Sequence, residues 1–307
     1  MRRLKSIIST LIGISILFYI IFTLDAEKIL DLILRIRVGY FIIAGIFYFF
    51  VELSASILLK IAISRDIPFI EILKSHLLGM LYSNATPGRV GYYYVAFSLA
   101  RKSNSSRSEI IGILTLFQGL NFLVKIFLCM ISAIYFSEFI VSQESRIYLF
   151  LISSFPIIIV IGILISIYTN ILNRIIAGTP ILNLILGYVE KMQYACREIE
   201  GGRIHRMILL LLIGWLLMGF QFYFISKSLN FDINYLAALM LQPLLTTITF
   251  VPISPSGIGI AEGGSSLLFK IIGLTLENGV AFMLLVRFNS ILVDSLGLLD
   301  LRRFPTK

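Results

Sequence analysis

The chain has 307 residues, of which 58% are hydrophobic and only 14% charged, and its mean hydropathy is +0.95. Soluble domains carry about 25% charged residues, so a soluble enzyme or nucleic-acid-binding domain is excluded and an integral membrane protein is expected. The formal charge of +9 sits mostly in short loops between apolar runs, where it reads as a topology signal and a contact to anionic lipid, not to nucleic acid.

In chain order, the first question is which apolar runs can cross a bilayer, which takes about 20 residues. Six segments reach that length: 6–24, 38–59, 109–137, 147–168, 207–226 and 278–300. The run at 6–24 is long for a signal-peptide core and has no small-residue cleavage site after it, so it is read as a retained first span. The span at 38–59 carries Glu52. Next comes an apolar but interrupted region, 69–101. Its first stretch, 69–82, makes a helix about 21 Å long at 1.5 Å per residue, too short to cross. A re-entrant hairpin of helix, break and helix fits it better.

The span at 109–137 places Gln118, Asn121 and Lys125 on one helical stripe. After 147–168 comes the longest polar stretch, 169–206, in which 181–197 reads as an amphipathic helix on the inner leaflet. The second interrupted region, 235–276, stays open between a hairpin and two full spans, because 235–252 is long enough to cross alone. The last span carries Arg287 and Asp294, two turns apart on one face.

With the N-terminus in the cytoplasm and each interrupted region returning to its starting side, most of the 26 Lys and Arg residues fall inside, as the positive-inside rule requires. Both termini are then cytoplasmic, in the cell membrane. The expected fold is all-α: a polytopic transmembrane helix bundle of six full spans plus two interrupted, re-entrant helix pairs. Residues 1–137 and 138–307 each read span, span, interrupted pair, span. The first half starts inside and the second outside, so the two form an inverted repeat within one membrane domain.

The breaks are Asn84-Ala85-Thr86-Pro87-Gly88-Arg89-Val90-Gly91 and Ser254-Pro255-Ser256-Gly257-Ile258-Gly259. Non-helical backbone at membrane depth survives only where it is buried in protein or lines a cavity, and matching breaks in two halves point to a transporter's binding site. Pro87 disfavours helix at Thr86, while Gly88 and Gly91 allow tight turns and close approach. The helix restarting near Tyr92 is expected to offer free N–H groups and a partial positive charge to an anion. Arg89 adds a forked cation suited to phosphate; its alternative is a topology charge in an ordinary loop.

Glu262 opens the helix after the second break, either as a first-turn cap favoured by the macrodipole or as a functional acid that meets a cation or carries a proton. Glu262 is also a possible partner for Arg287. Glu52 and Lys125 are either functional or inter-helix polar contacts. Tyr92, Tyr93 and Tyr94 read as interfacial anchors, a lipid-tail groove being the alternative. The candidate substrate-binding set is Asn84, Thr86, Gly88, Arg89, Gly91, Gln118, Asn121, Lys125, Ser254, Ser256, Gly257, Gly259, Glu262, Arg287 and Asp294. Cys129 lies in a span and Cys196 in a basic loop, so no disulfide is expected. His76 and His205 stand apart, so neither a metal nor a cofactor is expected. Nucleotide-loop, nucleophile-elbow and zinc spacings are missing from the sequence, so it is not read as an enzyme.

At Pro87-Gly88-Arg89-Val90-Gly91 and Pro255-Ser256-Gly257-Ile258-Gly259-Ile260-Ala261-Glu262 the chain resembles the lysylphosphatidylglycerol synthase transmembrane-region family of flippase-like membrane proteins. Pro87, Arg89, Gly91, Pro255, Gly257, Gly259 and Glu262 match that family's pattern. Tyr92 and Val95 stand where it favours Glu and Arg, and Ser256 replaces a glycine. Its Glu-Arg-x-x-Asp pattern becomes the uncharged Phe117-Gln118-Gly119-Leu120-Asn121. The resemblance implies movement of an anionic phospholipid or polyprenyl-phosphate-linked lipid between leaflets, with membrane lipids as partners. The other reading is a non-transporting protein that docks a separate lipid-modifying or glycosyl transferase through 169–206. A membrane-embedded enzyme is a weaker third reading. The sequence does not fix the oligomeric state.

Overall fold

A chain in hydrocarbon must pair its backbone groups within itself, so long apolar runs become long helices. The computed structural model describes residues 11, 14–20, 22–63, 67–87, 89–102, 106–139, 201–249 and 254–303, with isolated positions between 147 and 197. The described residues are helical with connecting turns and form no strands. In chain order the helices are α1 (Ala26–Leu34), α2 (Val38–Ile63), α3 (Phe69–Asn84), α4 (Tyr94–Lys102), α5 (Arg107–Ser137), α6 (Gly201–Ser228), α7 (Tyr235–Ile248), α8 (Ile260–Ile271) and α9 (Leu276–Asp294), followed by a 3₁₀ segment Ser295–Arg303.

Among the described residues, four helices are long and apolar enough to cross a membrane: Val38–Ile63, Arg107–Ser137, Arg203–Ser228 and Leu276–Leu299. The 26 residues of α2 span about 39 Å, more than the hydrocarbon core. The expected spans at 6–24 and 147–168, and the amphipathic helix at 181–197, lie largely outside the described residues, although 14–20 are helical. The disulfide expectation involves Cys196, which is also outside them.

Two boundaries differ from the sequence reading. Residues 26–34 were expected as loop but form α1, capped by the Asp25 carboxylate accepting from Lys28 N–H at 3.0 Å. Exposed Glu27, Lys28 and Asp31 opposite buried Ile29 make it amphipathic, and Lys28 pairs with Glu277 of α9 at 3.1 Å. Nine residues are too few to register as a span, which is why hydropathy alone passed over it. The helix expected from 207 starts at Gly201, so the end of the preceding polar stretch is helical too.

The first interrupted region folds back on itself. Lys102 reaches Glu71 at 3.0 Å, the Ser75 and Ser98 hydroxyls meet at 2.8 Å, and a Cβ on Gly79 would sit 2.4 Å from Val95. Partner numbers fall on one helix as they rise on the other, so α3 and α4 form an antiparallel hairpin. Glycine at position 79 is what lets the two helices close.

Helices from 1–137 and from 138–307 pack on one another. α2 and α6 pack antiparallel, with Tyr40 and Phe47 stacked on Phe224 and Phe220, and Ser54 Oγ donating to Leu210 O at 2.9 Å. α7 packs on α5, with Thr246 by Lys125 and Thr247 by Cys129. α3 packs on the end of α9: Asn84 meets Asp294, and Gly297 lies against the backbone of Leu78. The breaks themselves meet, through an antiparallel bridge between Pro87 and Pro255 and a Ser256 N–H bond to Thr86 O at 3.4 Å. Two apolar cores flank this seam. One is built around Phe222, Phe269 and Phe282, the other around Leu58, Val95, Leu99 and Leu114.

Candidate functional site

Pro87 cannot continue α3, which ends at Asn84, and the chain turns sharply. Arg89 takes the left-handed conformation (φ 58°), a strained choice for a side chain with a Cβ. Gly91 lies so close to Tyr82 that a Cβ there would come within 2.3 Å of the Tyr82 carbonyl oxygen. The chain restarts as a 3₁₀ turn, Val90–Tyr93, and α4 follows.

The expectation of free N–H groups at this restart is corrected. Gly91 N–H donates to Thr86 Oγ1 at 2.7 Å, Val90 N–H to Pro87 O at 3.4 Å and Tyr92 N–H to Arg89 O at 3.1 Å. A tight turn beside a hydroxyl satisfies its own donors before any anion arrives. The tyrosine expectation also changes. Tyr92 is buried and bonded to His76, Tyr93 faces Thr115 at 3.3 Å, and Tyr94 packs edge-on against Tyr82. Side chains on a folded-back hairpin face inward, so they are not interfacial anchors.

Beside this break lies a cavity of about 590 Å³, within the range of small-molecule sites. Arg89, Gln118, Asn121 and Lys125 line it, joined by Glu52, His76, Ser83, Tyr92, Tyr93, Trp215 and Thr246. The helical stripe read from the α5 sequence therefore does face one chamber, opposite the first break. Lys125 is fully buried, with its ammonium 5.2 Å from the Phe122 ring and 5.6 Å from the Trp215 ring. It also donates to Thr246 O at 3.5 Å. Aromatic faces attract a desolvated ammonium.

Glu52 on this wall is committed elsewhere: its carboxylate lies 2.6 Å from His76 Nε2, and His76 Nδ1 is 3.0 Å from the Tyr92 hydroxyl. His76, Tyr92 and Trp215 were not singled out as site residues. A lone histidine in a short apolar helix carries no signal until the fold sets it opposite a buried acid.

The second break is tied down by side chains. Ser256 (φ 47°), Gly257 (φ 70°) and Gly259 (φ 83°) turn the chain into α8. Gly259 N–H donates to Glu262 Oε2 at 2.7 Å. Arg287 grips Glu262 Oε1 through Nε at 3.1 Å and an Nη at 2.9 Å, and holds Ser256 O at 3.2 Å. Ser254 Oγ closes the turn onto Ile258 O at 2.7 Å. Both readings of Glu262 are thus met inside the protein, as a cap and as the partner of Arg287.

Asp294, on the same helix, points elsewhere: it accepts from Tyr48 at 3.3 Å and from Asn84 at 3.0 Å. Asn84 also accepts from Ser256 Oγ at 3.3 Å. Asn84, Thr86, Gly91, Ser254, Ser256, Gly257, Gly259, Glu262, Arg287 and Asp294 build the seam and its supports and are not on the cavity wall. Gly88 lies outside the described residues.

Paired helix breaks, a cavity with a few convergent polar side chains and helices of membrane-spanning length define an all-helical polytopic membrane protein. Within that class, the chain belongs to the lysylphosphatidylglycerol synthase transmembrane-region family, whose sequence model matches residues 6–297, a membrane-protein family linked to lipid handling. It is similar to a UPF0104 membrane protein of Methanocaldococcus jannaschii, 25% identical over 217 residues that cover 69% of this chain and 88% of the relative.

Proposed function

We propose that the protein moves an anionic phospholipid or polyprenyl-phosphate-linked lipid between the leaflets of the cell membrane, with its termini in the cytoplasm. The observation that carries this reading is the chamber beside the first break, where Arg89 and Lys125 face the amides of Gln118 and Asn121. Two cations and neutral donors around one space suit a phosphate diester. The acid on the wall, Glu52, lies 2.6 Å from His76 Nε2. A guanidinium fork binds phosphate oxygens in pairs, and a buried ammonium adds point charge. The volume accommodates one headgroup, leaving acyl or prenyl chains in the bilayer.

The test is leaflet exchange of fluorescent phosphatidylglycerol and phosphatidylcholine in vesicles containing purified protein. Wild type is expected to exchange the anionic lipid faster. A charge-assisted hydrogen bond is worth about 1.5–3 kcal/mol, so Arg89→Ala and Lys125→Met should each slow exchange about tenfold to a hundredfold. Wild-type rates in both variants would remove these residues from the path, and exchange blind to headgroup charge would remove the reading.

A further inference from the structure

We infer that a buried line of protonatable side chains, Asp294, Tyr48, Glu52, His76 and Tyr92, relays protons between the seam of the two breaks and the cavity, and so couples lipid movement to a proton gradient. The cargo rests on the transport reading above; the relay rests on geometry of its own.

Two fully buried acids lie near the seam, and their surroundings differ. Glu262 is neutralised by the two-pronged Arg287 contact. Asp294 is hydrogen-bonded by two neutral groups, the Tyr48 hydroxyl and the Asn84 amide. The two donors on Asp294 carry no charge, unlike the guanidinium that grips Glu262.

From Asp294 the line runs through Tyr48 to Glu52, one turn further along α2 and within electrostatic reach of the Tyr48 hydroxyl. Glu52 meets His76 Nε2 at 2.6 Å, and His76 Nδ1 meets the Tyr92 hydroxyl at 3.0 Å. Asp294 and Tyr48 are buried at the seam, whereas Glu52, His76 and Tyr92 reach the cavity wall. Carboxyl, phenol and imidazole each accept and donate protons. A proton can therefore pass from carboxyl to phenol oxygen, on to carboxylate and then to imidazole nitrogen. Each O–H or N–H bond broken is matched by one formed, with one proton entering for each that leaves.

Among the described residues, the charged and titratable groups facing this line are Tyr48 and Glu52 from α2, His76 from α3, Arg89, Tyr92 and Tyr93 from the break, Asp294 from α9, and Lys125 across the cavity from α5. Arg89 is within electrostatic reach of Asp294, Tyr48 and Tyr92, and the transport reading places the phosphate on it. A bound anion offsets the positive field that favours the ionised carboxylates. Headgroup and proton are therefore taken up together, and the linkage is reciprocal.

The experiment uses the full chain in vesicles with fluorescent phosphatidylglycerol and an internal pH dye. At one proton per lipid, a difference of one pH unit should shift the steady-state leaflet ratio about tenfold. A protonophore should abolish that shift, and lipid movement should be accompanied by proton flux. Tyr48→Phe keeps the ring and removes the relaying hydroxyl, and Asp294→Asn removes the acid; both should bring the gradient-driven shift close to one.

A wild-type leaflet ratio indifferent to the gradient overturns the relay and leaves transport standing, as does a full shift in Tyr48→Phe. If wild type exchanges no lipid, transport falls and infrared spectroscopy decides the relay alone. A titrating protonated-carboxyl band that is lost in Asp294→Asn and altered in Tyr48→Phe upholds the relay; a membrane preparation without such a band overturns it.

Discussion

The Glu262–Arg287 pair gives the sharpest test of how the second break is held. Glu262 is completely buried and accepts the two-pronged guanidinium contact plus Gly259 N–H, while Arg287 also binds Ser256 O. In Arg287→Met, Glu262 keeps the Gly259 N–H but loses its countercharge. In Glu262→Gln, the guanidinium faces a neutral amide and the cap loses its charge. Removing one partner of a buried pair costs about 3–5 kcal/mol, so each single variant should lose that much. Glu262→Gln combined with Arg287→Met leaves no lone charge and should recover much of the loss, giving a coupling of about 2–3 kcal/mol in a double-mutant cycle. Equilibrium unfolding in mixed micelles measures all four proteins. Single variants within about 0.5 kcal/mol of wild type, with no coupling, would show that the pair does not hold the break and that α8 is fixed by apolar packing alone.

Other predictions follow from single contacts. Trp215 is the chain's one tryptophan and lines the cavity beside Lys125. Its fluorescence should change when phosphatidylglycerol is titrated into the detergent-solubilised protein, and Lys125→Met should weaken that response about tenfold; an unresponsive tryptophan would place the headgroup elsewhere. Gly91→Ala would press a methyl within 2.3 Å of the Tyr82 carbonyl, so it should destabilise the protein by about 1–3 kcal/mol and slow exchange; a thermal-unfolding midpoint equal to wild type refutes the close approach. Cysteines at Thr86 and Ser256, in a background without Cys129 and Cys196, should cross-link on mild oxidation, because the backbone bond between these residues brings them within disulfide range. Failure to cross-link would separate the two breaks.

How much was legible in the sequence depends on the length scale of the signal. Hydropathy finds α2, α5, α6 and α9 because each is long enough for its apolar content to stand out. Pro87 and Pro255 announce the breaks because a ring without an N–H cannot continue a helix. The stripe of Gln118, Asn121 and Lys125 is readable because helical periodicity is local, and all three line one chamber. α1 escaped notice because it is short and amphipathic.

The sequence by itself determined that this is a helical membrane protein with two interrupted elements, since composition and proline placement act on the chain wherever it goes. The tertiary structure alone decided which side of each break is in use. Glu262 sits in the first turn of its helix and Asp294 at the end of its own, but neither position fixes a side-chain partner. Packing gave Glu262 a guanidinium and left Asp294 with a phenol and an amide. Likewise His76 became a partner of Glu52 only when α3 folded against α2. A charge's role follows from the partners it meets when water is excluded, and those partners lie far away in sequence.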